Sequence, residues 1–295
     1  MKTDVRVVIC MLAVGLLSGG APRARAQGLS QLPTYNSQTQ FSSGQDVVPV
    51  YEGWLRNPDG TFTFVFGYFN RNWKEEPVIP AGPDNKIEPG ETDRGQPTYF
   101  LPRRQPWVFR VQVPKDWGQH ELVWTITAHG RTEKAYAQLI PEEEILERLI
   151  QTRGNLNPGD DDPNKPPSIT IAPVPQAEPA KPVQLIALVT DDGLPKPRPA
   201  RRAASGAIPQ AQTNNATGNR PHGLSVKWFE YRGPAKVTFD SAGPMAVSNG
   251  RAVGTARFAA PGTYVLRVTA DDGELTTSAD VTITVKPDSS AGDKP

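Results

Sequence analysis

Histidines, clustered carboxylates and tryptophans are the residues of this 295-residue chain from which chemistry could be built. The three histidines, His120, His129 and His222, stand apart. No pair of them has metal-ligand spacing, and no Gly-x-Ser-x-Gly elbow or glycine-rich phosphate loop accompanies them. His129 and His222 adjoin glycines in turn-like segments, and His120 precedes an apolar alternation. No nucleophile with its base is legible, so the chain reads as a non-enzyme. Acids cluster at Glu75-Glu76, Glu142 to Glu144, Asp160 to Asp162, Asp191-Asp192 and Asp271-Asp272. Glycoside hydrolysis needs two carboxylates held across a cleft at a defined separation. Adjacent acids instead serve turns and solubility. No cofactor is expected, with calcium as the one metal the composition admits: a hard cation takes several oxygens from acid-rich loops. Its candidate ligands are Asp160, Asp161 and Asp162, with Asp191, Asp192, Asp271 and Asp272 as a second group at one end of the second domain.

The tryptophans raise carbohydrate or cell-wall binding instead. Trp54, Trp73, Trp107, Trp117 and Trp124 all precede residue 130, along with Tyr51, Tyr68 and Tyr99. Aromatic inner faces fill sandwiches well, so most belong to a core. Trp73 and Trp117 fall in loops beside Lys74 and Asp116 and are the candidate ligand contacts.

Charge narrows the partners. Of 32 basic and 31 acidic side chains, four basic ones (Lys2, Arg6, Arg23, Arg25) and one acidic one (Asp4) lie in the first 26 residues, so the remainder is acidic by two. That balance gives no reason to expect nucleic acid or an acidic membrane as partner. An envelope protein or a glycan fits better. The first 26 residues read as an export signal: basic Lys2 and Arg6, apolar Val7 to Leu17, then Ala24-Arg25-Ala26 before Gln27. The apolar run is shorter than the ~20 residues a membrane span needs. The expected location is periplasmic or extracellular. The single cysteine, Cys10, lies inside the signal, so the exported chain would carry neither disulfide nor thiolate metal site.

The elements that must position these residues are short strands. Pro and Gly number 31 and 26, a composition suited to tight turns rather than helices. Residues 27–45 read as a flexible lead-in and 46–140 as a first β-sandwich. Tyr51 to Arg56 and Thr61 to Asn70 flank the turn Asn57-Pro58-Asp59-Gly60. Phe62, Phe64, Phe66 and Tyr68 share one face at a period of two. A proline-rich stretch follows, with room only for brief strands. Trp107, Phe109, Val111 and Val113 then alternate on one side, as do Leu122, Trp124, Ile126 and Ala128. Glu133 to Ile140 closes the domain.

Residues 141–154 predict a helix: Pro141 at its first position, Glu142 to Glu144 near the positive end of its dipole, and a stripe of Ile145, Leu146, Leu149 and Ile150. Arg153-Gly154 would end it. Residues 155–167 form a Pro/Asp-rich linker, and 168–286 a second domain. Its strands are Ser168 to Ile171, Val183 to Val189, Leu224 to Tyr231, Lys236 to Phe239, Arg251 to Phe258, Thr263 to Ala270 and Ala279 to Val285. Residues 195–221 read as a mobile insertion and 287–295 as a polar tail.

The order of Val189-Thr190-Asp191-Asp192-Gly193, Leu224-Ser225-Val226-Lys227-Trp228, Pro261-Gly262-Thr263-Tyr264, Val268-Thr269-Ala270-Asp271-Asp272-Gly273 and Asp280 to Val285 resembles immunoglobulin-like domains of the polycystic-kidney-disease type. The chain has Trp228-Phe229-Glu230-Tyr231 where the best-known form of that family has Trp-x-Phe-Gly-Asp-Gly. The resemblance implies a spacer, adhesion or substrate-presenting module without activity, with Trp228 as core aromatic and Tyr264 anchoring a corner through its hydroxyl. Tyr51-Glu52-Gly53-Trp54 and Asp59-Gly60-Thr61-Phe62 make the first domain similar to uncharacterised secreted bacterial proteins. Together these readings predict an all-β chain: two immunoglobulin-like antiparallel sandwiches joined by a short helix and linker. Its expected role is an exported structural or interaction protein of the cell envelope. A carbohydrate-binding or glycan-processing protein is the alternative.

Overall fold

The computed structural model describes residues 40–155, 163–196 and 223–287. The expected export signal, the acidic run Asp160 to Asp162, His222, most of the expected insertion and most of the tail lie outside the described residues.

The first sandwich comprises Val47–Arg56 (β1), Phe62–Asn70 (β2), Asn85–Glu88 (β3), Arg103–Val113 (β4), Leu122–Ala128 (β5) and Arg131–Ala137 (β6). Two antiparallel sheets, β1-β2-β4 and β3-β5-β6, face each other. The alternation read in β2 and β5 fills the space between them. Phe66 stacks on Phe109 at 5.4 Å, and Trp124 meets both rings edge-on. Burying such side chains is worth about 1.5–3 kcal/mol each. The chain is fixed before β1: Trp73 N–H donates to Phe41 O and Lys74 N–H to Ser42 O, so the expected flexible lead-in ends earlier than Gln45.

Buried amides hold the proline-rich excursion between β2 and β4. Asn85 Nδ2 donates to the carbonyls of Ile79 and Pro97, and its Oδ1 accepts from Trp124 Nε1 at 2.9 Å. Asn70 Nδ2 donates to the carbonyls of Glu75 and Phe100. Prolines supply no N–H, so these side chains satisfy backbone oxygens that a ladder would otherwise pair.

Two bulges meet at Gly67. Glu52 is an extra residue of β1 against β2. On β4, Phe109 pairs with Phe66 but Gln105 with Tyr68, so Pro106, Trp107 and Val108 stand opposite the single residue Gly67. A β-carbon at Gly67 would lie under 3.0 Å from both Glu52 Oε1 and Gln105 O, so only glycine fits there. Trp107 takes φ +50° in this bulge. The alternation predicted it inside with Phe109, Val111 and Val113. Only those three join the first core. Pro106 cannot donate to the ladder, and the two surplus residues re-aim the indole.

The predicted helix over 141–154 is a correction. The chain makes a 3-10 turn at Pro141–Glu143 and a five-residue helix at Glu147–Gln151 (α1). Between them Glu144 and Leu146 are extended, Ile145 N–H donates to Trp54 O at 2.8 Å, and Glu144 pairs with Arg56. Trp54 Nε1 donates to Ile140 O at 2.8 Å. A dozen-residue helix is marginal alone, and pairing with β1 outweighs it. The expected stripe is accordingly split, with Leu146 65% exposed.

The second sandwich comprises Ser168–Ile171 (β7), Val183–Thr190 (β8), Ser225–Arg232 (β9), Val237–Phe239 (β10), Met245–Ala246 (β11), Arg251–Phe258 (β12), Gly262–Asp271 (β13) and Thr276–Val285 (β14). Its sheets run β7-β8-β12-β10 and β11-β9-β13-β14. That is the ABED-against-CFG order of an immunoglobulin domain, with β11 added beside the first strand of the second sheet. Trp228 lies in the core, and Tyr264 O–H donates to Ala260 O at 2.8 Å, the corner anchor the sequence implied.

Candidate functional site

The two sandwiches dock, and the docking builds the site. Residues 227, 229 and 231 of β9 point to the outer face of their sheet, away from Trp228. Tyr231 is 6% exposed and belongs to the core cluster of the first sandwich, with its O–H donating to Gly95 O at 2.6 Å. Its carbonyl accepts from Thr98 N–H, and Gly233 N–H donates to Thr98 Oγ1. Arg232 grips Asp93 through both terminal guanidinium nitrogens, and Lys236 pairs with Glu76 at 2.6 Å. Tyr99 O–H also donates to Glu76. Arg267 stacks on the Tyr231 ring at 3.9 Å, donates to Val108 O and forms a two-point pair with Asp280. At the far side Arg153 pairs with Asp271, and Thr276 Oγ1 donates to Gln151 O. The joint runs from the 93–99 segment to the end of α1.

Charge at the joint follows from burial. Burial pushes the Tyr231 phenol well above its ordinary value, partly countered by Arg267. Burial and the bond to Glu76 do the same for Tyr99. Glu230, 2% exposed, is pushed up to about 8 by burial; Val237 N–H pulls it down, Glu76 raises it further and Lys236 opposes that. One of its oxygens accepts from Val237 N–H at 2.8 Å.

Between the two ends of the joint lies a cleft of about 560 Å³. Its floor is the outer face of β9, β13 and β14. Register sets the side chains there in rows: Phe229, Arg267 and Asp280, then Lys227, Thr269 and Ser278. Its roof comes from the first sandwich, where the β4 bulge delivers Trp107. The ring edge of Trp107 lies over Gly154, whose position leaves no room for a β-carbon. The cleft can hold a ligand between one indole and a hydroxyl-bearing sheet face, within the size range of ordinary ligand sites.

Trp73 and Trp117 are not brought together. Trp73 lies three residues past Asn70, the end of β2, whereas Trp117 meets Phe64 edge-on near its start, six residues or about 20 Å from Asn70 along the strand. Trp73 is 37% exposed, with the Arg103 guanidinium 4.4 Å above its ring. Trp117 is half-buried against the first core, and its Nε1 donates to His120 O. His129 occupies the turn between β5 and β6 and lies 3.0 Å from Glu75. Neither tryptophan lines the cleft. Its aromatics are Tyr68 and Tyr99, Trp107, which strict alternation assigns to the core, and Phe229 and Tyr231. The sequence did carry a signal for the latter pair: β9 is apolar on both faces, the mark of a strand covered on both sides.

Of the second acidic group, Asp191 and Asp272 come together. Burial pushes both carboxyls up, and Asp272 adds to the rise at Asp191. Asp192 is instead held down by N–H donors from Leu194 and Lys165, and Asp271 is engaged by Arg153. Among the described residues no three His, Cys, Asp or Glu side chains are grouped so as to hold a metal. Among them, too, no helix is long and apolar enough to cross a membrane.

No protein-family model matches the chain, and no curated protein matches it. Solved structures that overlap it include a conjugative transposon lipoprotein from Bacteroides eggerthii, at 10% identity over 40% of this chain and 96% of that one, TM-score 0.27. A lipoprotein from Bacteroides thetaiotaomicron overlaps at 12% identity over 45% and 89%, TM-score 0.26. The fibronectin(III)-like modules of Clostridium thermocellum CbhA overlap at 11% identity over 79% and 89%, TM-score 0.25. Likenesses this weak carry no argument about activity or partners. The fold assignment rests on the strand order above.

Proposed function

We propose that the chain is an exported, non-enzymatic structural or interaction protein whose two sandwiches act as one fixed-angle unit in the cell envelope. The observation that carries this reading is Tyr231, a residue of the second sandwich that is 6% exposed within the core of the first. A spacer of independent beads has no need for such an anchor, because default inter-domain contacts are polar and loose. Export rests on the signal-like residues 1–26. Trp73, exposed beneath Arg103, and Trp117 are proposed contacts for an envelope partner at opposite ends of the first sandwich, each to be tested by alanine substitution in a pulldown from envelope fractions. Calcium at Asp160, Asp161 and Asp162 is proposed as an addition to the linker, tested by calorimetric titration with and without chelator.

The test of the fixed angle exploits the absence of cysteine after Cys10. Spin labels at Lys134→Cys on β6 and Arg251→Cys on β12 report one distance across the joint. A single narrow distribution that broadens in Tyr231→Ala is the expected result. A broad distribution in the otherwise unaltered protein overturns the reading.

A further inference from the structure

We infer that the cleft between the sandwiches is a binding site for an acidic glycan, with a carboxylate-bearing sugar seated between Trp107 and the sheet face of the second sandwich. This inference rests on the fixed joint, which alone gives the cleft a defined width. Trp107 is the first reason. A two-residue bulge, a proline and a left-handed backbone conformation place it here rather than in the core its strand would otherwise give it. Such backbone is strained for a residue with a side chain, and it persists where the surroundings over-determine it. The indole is half-buried, and among the described residues its Nε1 has no hydrogen-bond partner. It therefore offers an apolar face and a free donor together, the combination that suits a sugar ring.

The floor supplies the rest. Thr269 Oγ1 and Ser278 Oγ lie 2.8 Å apart and share one hydrogen bond. The pair keeps one O–H donor and several lone pairs for a ligand's hydroxyls. In the same row stands Lys227, exposed. The other cations of the lining are matched, Arg153 by Asp271 and Arg267 by Asp280. Lys227 has no carboxylate partner among the described residues, and Phe229 flanks it on the strand. An unmatched ammonium beside hydroxyls and aromatic rings selects a ligand with one negative group on a hydroxylated ring. A peptide fits less well, because β9 and β13, which carry Lys227 and Thr269, are each paired on both sides, and an added strand could join only at the outer edge of β14.

The test uses the chain from residue 27 and three acidic tetrasaccharides: tetragalacturonate, tetramannuronate and a hyaluronan tetramer. Cellotetraose and an acidic tetrapeptide serve as counter-probes. Binding is read by tryptophan fluorescence and calorimetry at low and high salt. At least one acidic sugar is expected to bind, with affinity falling as salt rises. Trp107→Ala and Lys227→Gln are each expected to weaken it about tenfold or more. Lys227 is exposed, so its variant keeps the test valid if Trp107→Ala unfolds. Failure of all three acidic sugars, equal binding of cellotetraose, preference for the peptide, or affinity unchanged in Lys227→Gln would each overturn the inference. The spin-label distance separates the two readings. A narrow distance without sugar binding sinks the glycan site alone, whereas a broad distance removes the fixed joint beneath it.

Discussion

The carboxyl of Glu230 turns the geometry of the joint into a pH dependence of known sign. Among the described residues only one of its oxygens has a hydrogen-bond partner, Val237 N–H; the other faces Gly233 and the Tyr264 ring. Burial raises its pKa from an ordinary 4.5 to about 8. Between those values the folded chain holds a proton that the unfolded chain has released. The stabilisation is therefore complete below pH 4.5 and is lost as pH rises towards 8, where the native carboxyl ionises. At ~1.36 kcal/mol per unit the full difference is about 4–5 kcal/mol. Lys236 and water at the end of the sandwich would trim it to roughly 2–4 kcal/mol. Glu230→Gln keeps an oxygen for Val237 N–H and abolishes the titration. Its NH2 enters the unpartnered position, which costs about 1–3 kcal/mol at every pH. The offset is thus uninformative and the slope decides. Urea unfolding at pH 5, 7 and 9 should show the unaltered protein losing roughly 2–4 kcal/mol more than Glu230→Gln across that range. Parallel stability curves would refute the reasoning and mean that Glu230 is ionised in the native state, neutralised by Lys236.

Three further substitutions test single packing claims by chemical denaturation. Gly233→Ala places a β-carbon under 3.0 Å from Glu230 Oε1 and the Tyr264 ring, and should destabilise by about 1–3 kcal/mol through overpacking; a neutral result would show that the joint yields. Asn85→Ala strands two carbonyls and the Trp124 indole N–H in the first core, and should cost about 3 kcal/mol or more; a loss below about 1 kcal/mol would mean that water replaces the amide. Tyr264→Phe removes only the bond to Ala260 O, and should cost about 0.5–1.5 kcal/mol, with an unchanged midpoint counting against the corner anchor.

Most of the strands were legible because one buried face imposes a period of two, as in Phe64, Phe66 and Tyr68 or Leu122, Trp124 and Ile126. Two local readings failed for physical reasons. The alternation from Trp107 to Val113 is correct from Phe109 onward, but two surplus residues re-aim the indole, and a period carries no information about an insertion opposite Gly67. The composition of residues 141–154 is that of a helix. Its fate was decided by Trp54, whose carbonyl takes the Ile145 N–H and whose indole takes Ile140 O, partners more than 80 residues away in the chain. Local propensity is a weak prior where a strand supplies competing hydrogen bonds.

The cleft was illegible for a different reason: it belongs to neither sandwich. Each domain read alone assigns its aromatics to its own core or to a loop, so tryptophans in loops look like the binding residues. The departure from the family pattern at Trp228-Phe229-Glu230-Tyr231 held the missing information. Trp228 fills the second core, Glu230 is buried at its end, and Tyr231 fills the first core, so the four residues point to both faces of one strand and both are covered. A domain exposed to water on its outer face would be polar at Phe229 and Tyr231. The apolar outer face therefore required a second surface, and the nearest available was the first sandwich. Once Tyr231 is seated there, Lys227, Thr269 and Ser278 on the same face are held opposite Trp107, and a row of residues that looks like ordinary strand surface becomes the floor of a cleft.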